Sequence, residues 1–316
     1  MNRAASFTED SGLPLTLANF LDYHHLDPRG LYKYTTFARL CYRADQREDF
    51  AEPMEEILSK ALPRFAVADS RRWISFLLRI LPNLPALDVS ALTPAEERMM
   101  QMFYVTVWGK AVEDWQGAEV RRNLQALSES PVMLEELQSL LRYQFNRIDF
   151  IDQAVDVGFD CPLDLHCTYT RDQLLTAMDH KNPNNMREGV KYLPEKKLDV
   201  FLITLNKADK DYSPTTMYKD YSMNERLFHW QSQSTTAEQS ATGQRYIHHA
   251  ERGSRVLLFV REYKEDRLYG TTEAYTYLGT AKYVSHEGSK PMNIIWQLDQ
   301  PIPVKFLRKT NKLMAV

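Results

Sequence analysis

No apolar run in the chain approaches the ~20 residues that a membrane-crossing helix needs, so no contact with a bilayer is expected. The opening Met1-Asn-Arg-Ala-Ala-Ser has no apolar stretch of signal-peptide type, and residues 1–12 read as a disordered lead-in. The beginning is abrupt, as of a piece of something longer. Cysteine is scarce: Cys41, Cys161 and Cys167 make an odd count, which argues against a disulfide framework and for reduced thiols in the cytoplasm. The Cys-x-x-Cys spacing usual for zinc is missing, and the N-terminal half holds neither a catalytic triad nor a glycine-rich phosphate loop. Neither a metal nor a cofactor is expected.

What is present is globular. A chain of 316 residues with 44% apolar and 26% charged side chains is long enough for at least two cores. The net charge of -3 hides an asymmetry: residues 185–316 carry 20 Lys and Arg against 15 Asp and Glu, which leaves 19 against 27 for residues 1–184. Unless this is ordinary surface scatter, a polyanionic partner meets the basic half.

From Leu13 to about Asp156 apolar residues recur at helical spacing, as in Ile74, Leu77, Leu78 and Leu81. Thr93-Pro-Ala-Glu96 is written as a capping box, and Ser130-Pro131 as a second cap. Residues 1–160 therefore read as an all-helical scaffold of six or seven helices, with Met99, Met100, Met102 and Phe103 as core filling. His24-His25 reads as a helix end. Residues 161–186 form a linker with one short helix opened by Thr170-Arg-Asp-Gln173, and the buried thiols Cys161 and Cys167 flank His166 without a usable fourth ligand.

The period then changes to that of strands. Leu198–Leu205, Arg255–Arg261, Tyr275–Val284 and Met292–Leu298 are β-rich runs, with Gly279 a bulge or close-approach point. Strands at this spacing with few helices between them predict a small, strongly curved barrel over residues 187–316, and an α+β chain as a whole. Between the first two runs lies Tyr212–Gln233, dense in aromatics, amides and charges of both signs and unlike a core element.

Arg187-Glu-Gly-Val190, Thr204-Leu-Asn-Lys207, Ser213-Pro-Thr-Thr-Met-Tyr218, Phe228-His-Trp-Gln-Ser-Gln233, Leu257-Leu-Phe-Val-Arg-Glu262 and Ser289-Lys-Pro-Met292 together resemble the C-terminal domain of bacterial superfamily-II helicases that carry a phospholipase-D-type nuclease. Restriction enzymes of the SauUSI type, which cut DNA containing 5-methylcytosine in an ATP-dependent way, are similar. The likeness is dense over the β-rich part and loose over the helical part. The chain departs from that pattern in having no Walker A motif, no helicase motifs and no His-x-Lys nuclease signature. The resemblance thus implies an isolated specificity region for restriction of modified (5-methyl or 5-hydroxymethyl) DNA, as in phage defence. Its barrel would be related to the SRA, EVE and YTH (PUA-like) readers, and its partners would be double-stranded DNA and the helicase and nuclease domains of a larger assembly.

A reader that extrudes its base needs aromatic faces for the ring, hydrogen-bonding groups for its edge and an apolar recess for the methyl. Tyr218, Tyr221, Phe228 and Trp230 are candidates for the stack, Asp220 for accepting from the exocyclic amine, and Gln231, Ser232 and Gln233 for donating. Phe228 is assigned to the core. Trp230 is open between core and pocket, and Asp220 between pocket and a cap on a helix starting near Ser222. Phosphate contacts are expected from Lys207, Lys219, Arg226, Arg245, His248, His249 and Lys282. Two other classes compete. A hydrolytic site could use His229 with Asp220 or Glu225, and a protein-interaction module would use the same aromatics on a partner chain. The chain itself is expected not to be an enzyme.

Overall fold

The computed structural model describes residues 2–186, 188–206 and 220–310. Tyr218, Lys207 and Lys219, with the first part of the stretch that begins at Tyr212, lie outside the described residues. Helices fill the N-terminal part, and an open mixed sheet the C-terminal part. The chain divides into two compact units, residues 1–152 with 172–184, and residues 153–171 with 185–316.

The helical unit has more helices than the periodicity predicts. Side-chain caps at Thr16, Asp27 and Thr36 start three separate short helices, Leu17–Tyr23, Pro28–Tyr32 and Phe37–Arg43. The expected disordered lead-in is also helical, because Phe7 is fully buried and packs 5.8 Å from Phe20. The box at Thr93 forms: its hydroxyl accepts from the Glu96 N–H at 3.3 Å, and the Glu96 carboxylate from the Thr93 N–H at 3.0 Å. Ser130 does not cap its own helix, Pro131–Arg147, but accepts from the Met54 N–H at 3.0 Å. Glu52 instead accepts from the Val132 and Met133 N–H groups at 2.7 and 3.0 Å, and Glu136 from those of Phe37 and Ala38 at 2.6 and 2.9 Å. Both carboxylates thus cap helices distant in sequence, where an anion also suits the helix dipole. The methionines at 99, 100 and 102 are core. Among the described residues no helix is long and apolar enough to cross a membrane.

The second unit contains β1 (Thr168–Tyr169), β2 (Val190–Leu193), β3 (Leu198–Thr204), β4 (Tyr221–Ser222), β5 (Leu227–Gln231), β6 (Arg255–Arg261), β7 (Tyr275–Glu287) and β8 (Asn293–Leu298). Their order is β2-β3-β6-β7-β8-β5-β4, with β1 also on β7. Among the described residues only the β3–β6 ladder is parallel. No ladder among the described residues joins β2 to β4, so the expected barrel is corrected to an open sheet. The physical reason lies in the parallel pair: it needs a long crossover, and that crossover contributes β4, β5 and the helix Ala241–Ile247. Tyr246 of this helix packs its ring against Phe201, Trp230 and Trp296, and Ile247, with Phe306 and Leu307 of the helix Val304–Thr310, packs against the same core cluster. Gly279 is the predicted close approach: its φ is +89°, the β6–β7 register shifts beside it, and an added Cβ would lie 2.9 Å from Leu165.

Candidate functional site

The alternation of β5 decides which candidate residues meet solvent. Phe228 and Trp230 point into the core, while Leu227, His229 and Gln231 are half-exposed on the opposite face. Strand β8 repeats the pattern, burying Ile294 and Trp296 and turning out Asn293, Ile295 and Gln297. The register then aligns three outward rows: Tyr221–His229–Ile295–Ser285, Gln231–Asn293–Glu287 and Leu227–Gln297–Lys282. Rows of this kind are about 7 Å apart.

On the first row the Tyr221 and His229 rings stack, with centroids 4.8 Å apart and planes 16° apart. On the second, the Gln231 side-chain amide donates to Asn293 Oδ1 at 3.0 Å. These four side chains bring a flat aromatic pair and an amide pair together on one open surface. Asn293 is a residue the sequence reading missed; parity along Met292-Asn-Ile-Ile-Trp-Gln-Leu was the signal that could have found it.

Of the remaining described base-pocket candidates, Trp230, Asp220 and Ser232 are buried. Trp230 is 5% exposed and stacks on Phe201, centroids 4.2 Å apart and planes 27° apart. Such a ring has no face left for a base. Asp220 is 2% exposed, and its carboxylate accepts from the Gln231 N–H at 2.9 Å; Tyr221–Ser222 being a strand, it caps no helix there. Ser232 is fully buried and ties β5 to β8, donating its N–H to Met292 and accepting the Met292 N–H on its hydroxyl, both at 2.9 Å. Gln233 is half-exposed, and its backbone carbonyl accepts from the Thr236 N–H at 2.9 Å.

Of the phosphate-contact candidates, Arg245 and His249 are structural. Arg245 holds the fully buried Asp199 through Nε and Nη2, each at 2.9 Å, and lies over the Tyr192 ring at 3.9 Å. Burial pushes the Asp199 carboxyl above the usual carboxylate range against the pull of that guanidinium. His249 is 4% exposed; its Nδ1 meets the Ser254 carbonyl at 3.1 Å, and its Nε2 accepts the Tyr283 N–H at 3.1 Å. These bonds require the neutral Nδ1–H tautomer, and burial lowers the His249 pKa accordingly. Arg226, Lys282 and His248 remain accessible. Arg226 donates to the Asp299 carbonyl at 3.2 Å, Lys282 pairs with the Asp299 carboxylate at 3.1 Å, and His248 meets Glu251 at 3.0 Å. Arg261, on β6, is buried and donates to Thr204 Oγ1 at 2.9 Å.

Among the described residues no group of three or more His, Cys, Asp and Glu could hold a metal ion, and all three cysteines are buried and unbridged. Glu225 and His229 fall on a turn and a strand, not on one helix face. No curated protein matches the chain. Residues 163–309, which carry all eight described strands, match the family described as a domain of unknown function, DUF3427.

Proposed function

We propose that the sheet unit is a DNA-binding specificity module that reads a 5-methyl- or 5-hydroxymethylcytosine after the base leaves the duplex. In this reading the chain is the non-catalytic part of an ATP-dependent restriction endonuclease, with motor and nuclease on other domains or chains. The observation that carries it is the pairing, on one open face, of the stacked Tyr221–His229 rings with the Gln231–Asn293 amides. Stacking holds an extruded base by its ring and amides read its edge, which is the division of labour base extrusion requires. Trp230, Asp220 and Ser232 support this surface from behind. The sequence resemblance supplies the identity of the base and the kinship with the SRA, EVE and YTH readers.

The test is binding of two short duplexes that differ by one 5-methylcytosine, each titrated with salt. The methylated duplex should bind at least several-fold more tightly, with affinity falling as salt rises. Equal affinity for both removes the modified base from the reading, and salt-independent or absent binding removes DNA.

A further inference from the structure

We propose that the ligand of the open face is an unpaired DNA strand, held by base stacking in preference to phosphate contacts. This deepens the reading above and rests on it.

Three observations on that face lead there. First, Tyr221 stands half-exposed on β4, the last strand in the sheet order among the described residues, and its ring stacks on His229 at 4.8 Å, so a base added to this pair extends an existing stack. Stacking on aromatics needs bases that no complementary strand has taken into a duplex. Second, the Gln231 side-chain carbonyl accepts no hydrogen bond among the described residues, while its amide is held by Asn293 at 3.0 Å. A fixed acceptor one row from the ring pair suits an exocyclic amine; a duplex also offers that amine in its major groove, so the demand for an unpaired base comes from the ring pair. Third, the two described phosphate-contact candidates on and beside these rows, Lys282 and Arg226, both bond within the protein. Lys282 is 3.1 Å from the Asp299 carboxylate, Arg226 donates to the Asp299 carbonyl, and Glu287 shares the row of Gln231 and Asn293. Duplex binding draws its strength from unmatched Lys and Arg on phosphates, and among the described residues of these rows the one lysine, Lys282, is paired with a carboxylate. An unpaired strand presents its bases without the unstacking cost of a few kcal/mol that extrusion carries.

The experiment uses the full chain and fluorescein-labelled oligodeoxycytidine of about 12 nucleotides, the length class one such face covers. Plain and 5-methylated strands are compared, each alone and annealed to its complement, by anisotropy with salt titration. The unpaired strand should bind at least tenfold more tightly than the duplex. Its dependence on salt should be shallow, with log K falling against log salt at a slope of roughly -1 to -2. Tyr221→Ala and the apolar but non-aromatic Tyr221→Leu should each lose roughly tenfold on the unpaired strand, while Tyr221→Phe stays within about twofold. Near-UV circular dichroism checks that each variant is folded. Tighter or equal binding of duplex, or folded Tyr221→Leu protein that binds the unpaired strand as wild type does, overturns the proposal. Strand preference without regard to methylation upholds it and sinks the modified-cytosine reading. Methyl preference on duplex alone does the reverse.

Discussion

The guanidinium of Arg245, on a helix, closes both Nε and Nη2 on the carboxylate of Asp199, which lies at the heart of the sheet with no exposed surface. Removing one partner of a buried pair strands the other, at a cost of about 3–5 kcal/mol. Arg245→Ala should therefore lower the urea midpoint steeply. A phosphate-contacting arginine behaves oppositely, weakening DNA binding in a protein of unchanged stability. Wild-type stability in Arg245→Ala would refute the structural role.

Much of the sheet was legible because its runs are apolar and β-rich, as at Leu198–Thr204 and Arg255–Arg261. Their parallel pairing was not, since a strand buried on both faces reads the same beside either kind of neighbour. In β5 the alternation Leu-Phe-His-Trp-Gln was plain, yet whether Trp230 or His229 faced the core depended on Phe201 and Tyr246, both distant in sequence. Glu52 and Glu136 show the same limit in the helices, for they cap helix starts about 80 and 98 residues away. Local chemistry identified residue types for a site; only tertiary packing sorted Trp230, Asp220, Ser232, Arg245 and His249 from the surface.

Acid should destabilise the sheet unit through His249. Its folded-state pKa is lowered, first by burial, so the folded protein resists a proton that the unfolded chain accepts near pH 6.5. The contribution is thus whole above about pH 6.5 and is lost as pH falls below it toward the folded-state value. Protonation would also remove the Nε2 acceptor from the Tyr283 N–H. His166, lowered chiefly by burial, acts in the same direction, while Asp199 and Asp299 oppose it and Lys282 assists it at His249. Urea midpoints from pH 7.5 to 5 should fall for the wild type and fall less for His249→Leu, which starts lower. Parallel profiles would show that His249 is not the group responsible.

Gly243 lies inside the helix Ala241–Ile247, where alanine would ordinarily gain about 0.5–1 kcal/mol. Here the added Cβ would sit 2.3 Å from the Ala237 carbonyl oxygen and 2.6 Å from that of Glu238. Both are backbone atoms, so the helix or the preceding loop must move, and overpacking of this kind costs about 1–3 kcal/mol. The clash outweighs the propensity. Gly243→Ala should lower the thermal midpoint, and a rise would mean that the loop yields freely.

Trp230→Ala and Tyr221→Ala separate the core from the reading surface, though both remove an aromatic from one sheet. Trp230 is buried on Phe201, and its truncation should cost about 3–5 kcal/mol. Tyr221, half-exposed, loses a cross-strand ring contact with His229, roughly 0.2–1 kcal/mol. DNA binding by Trp230→Ala should therefore track the folded fraction and recover under conditions that refold it, whereas Tyr221→Ala should bind poorly while folded. Unchanged stability of Trp230→Ala with selective loss of methylated DNA would place that indole in the pocket, which requires it to leave Phe201.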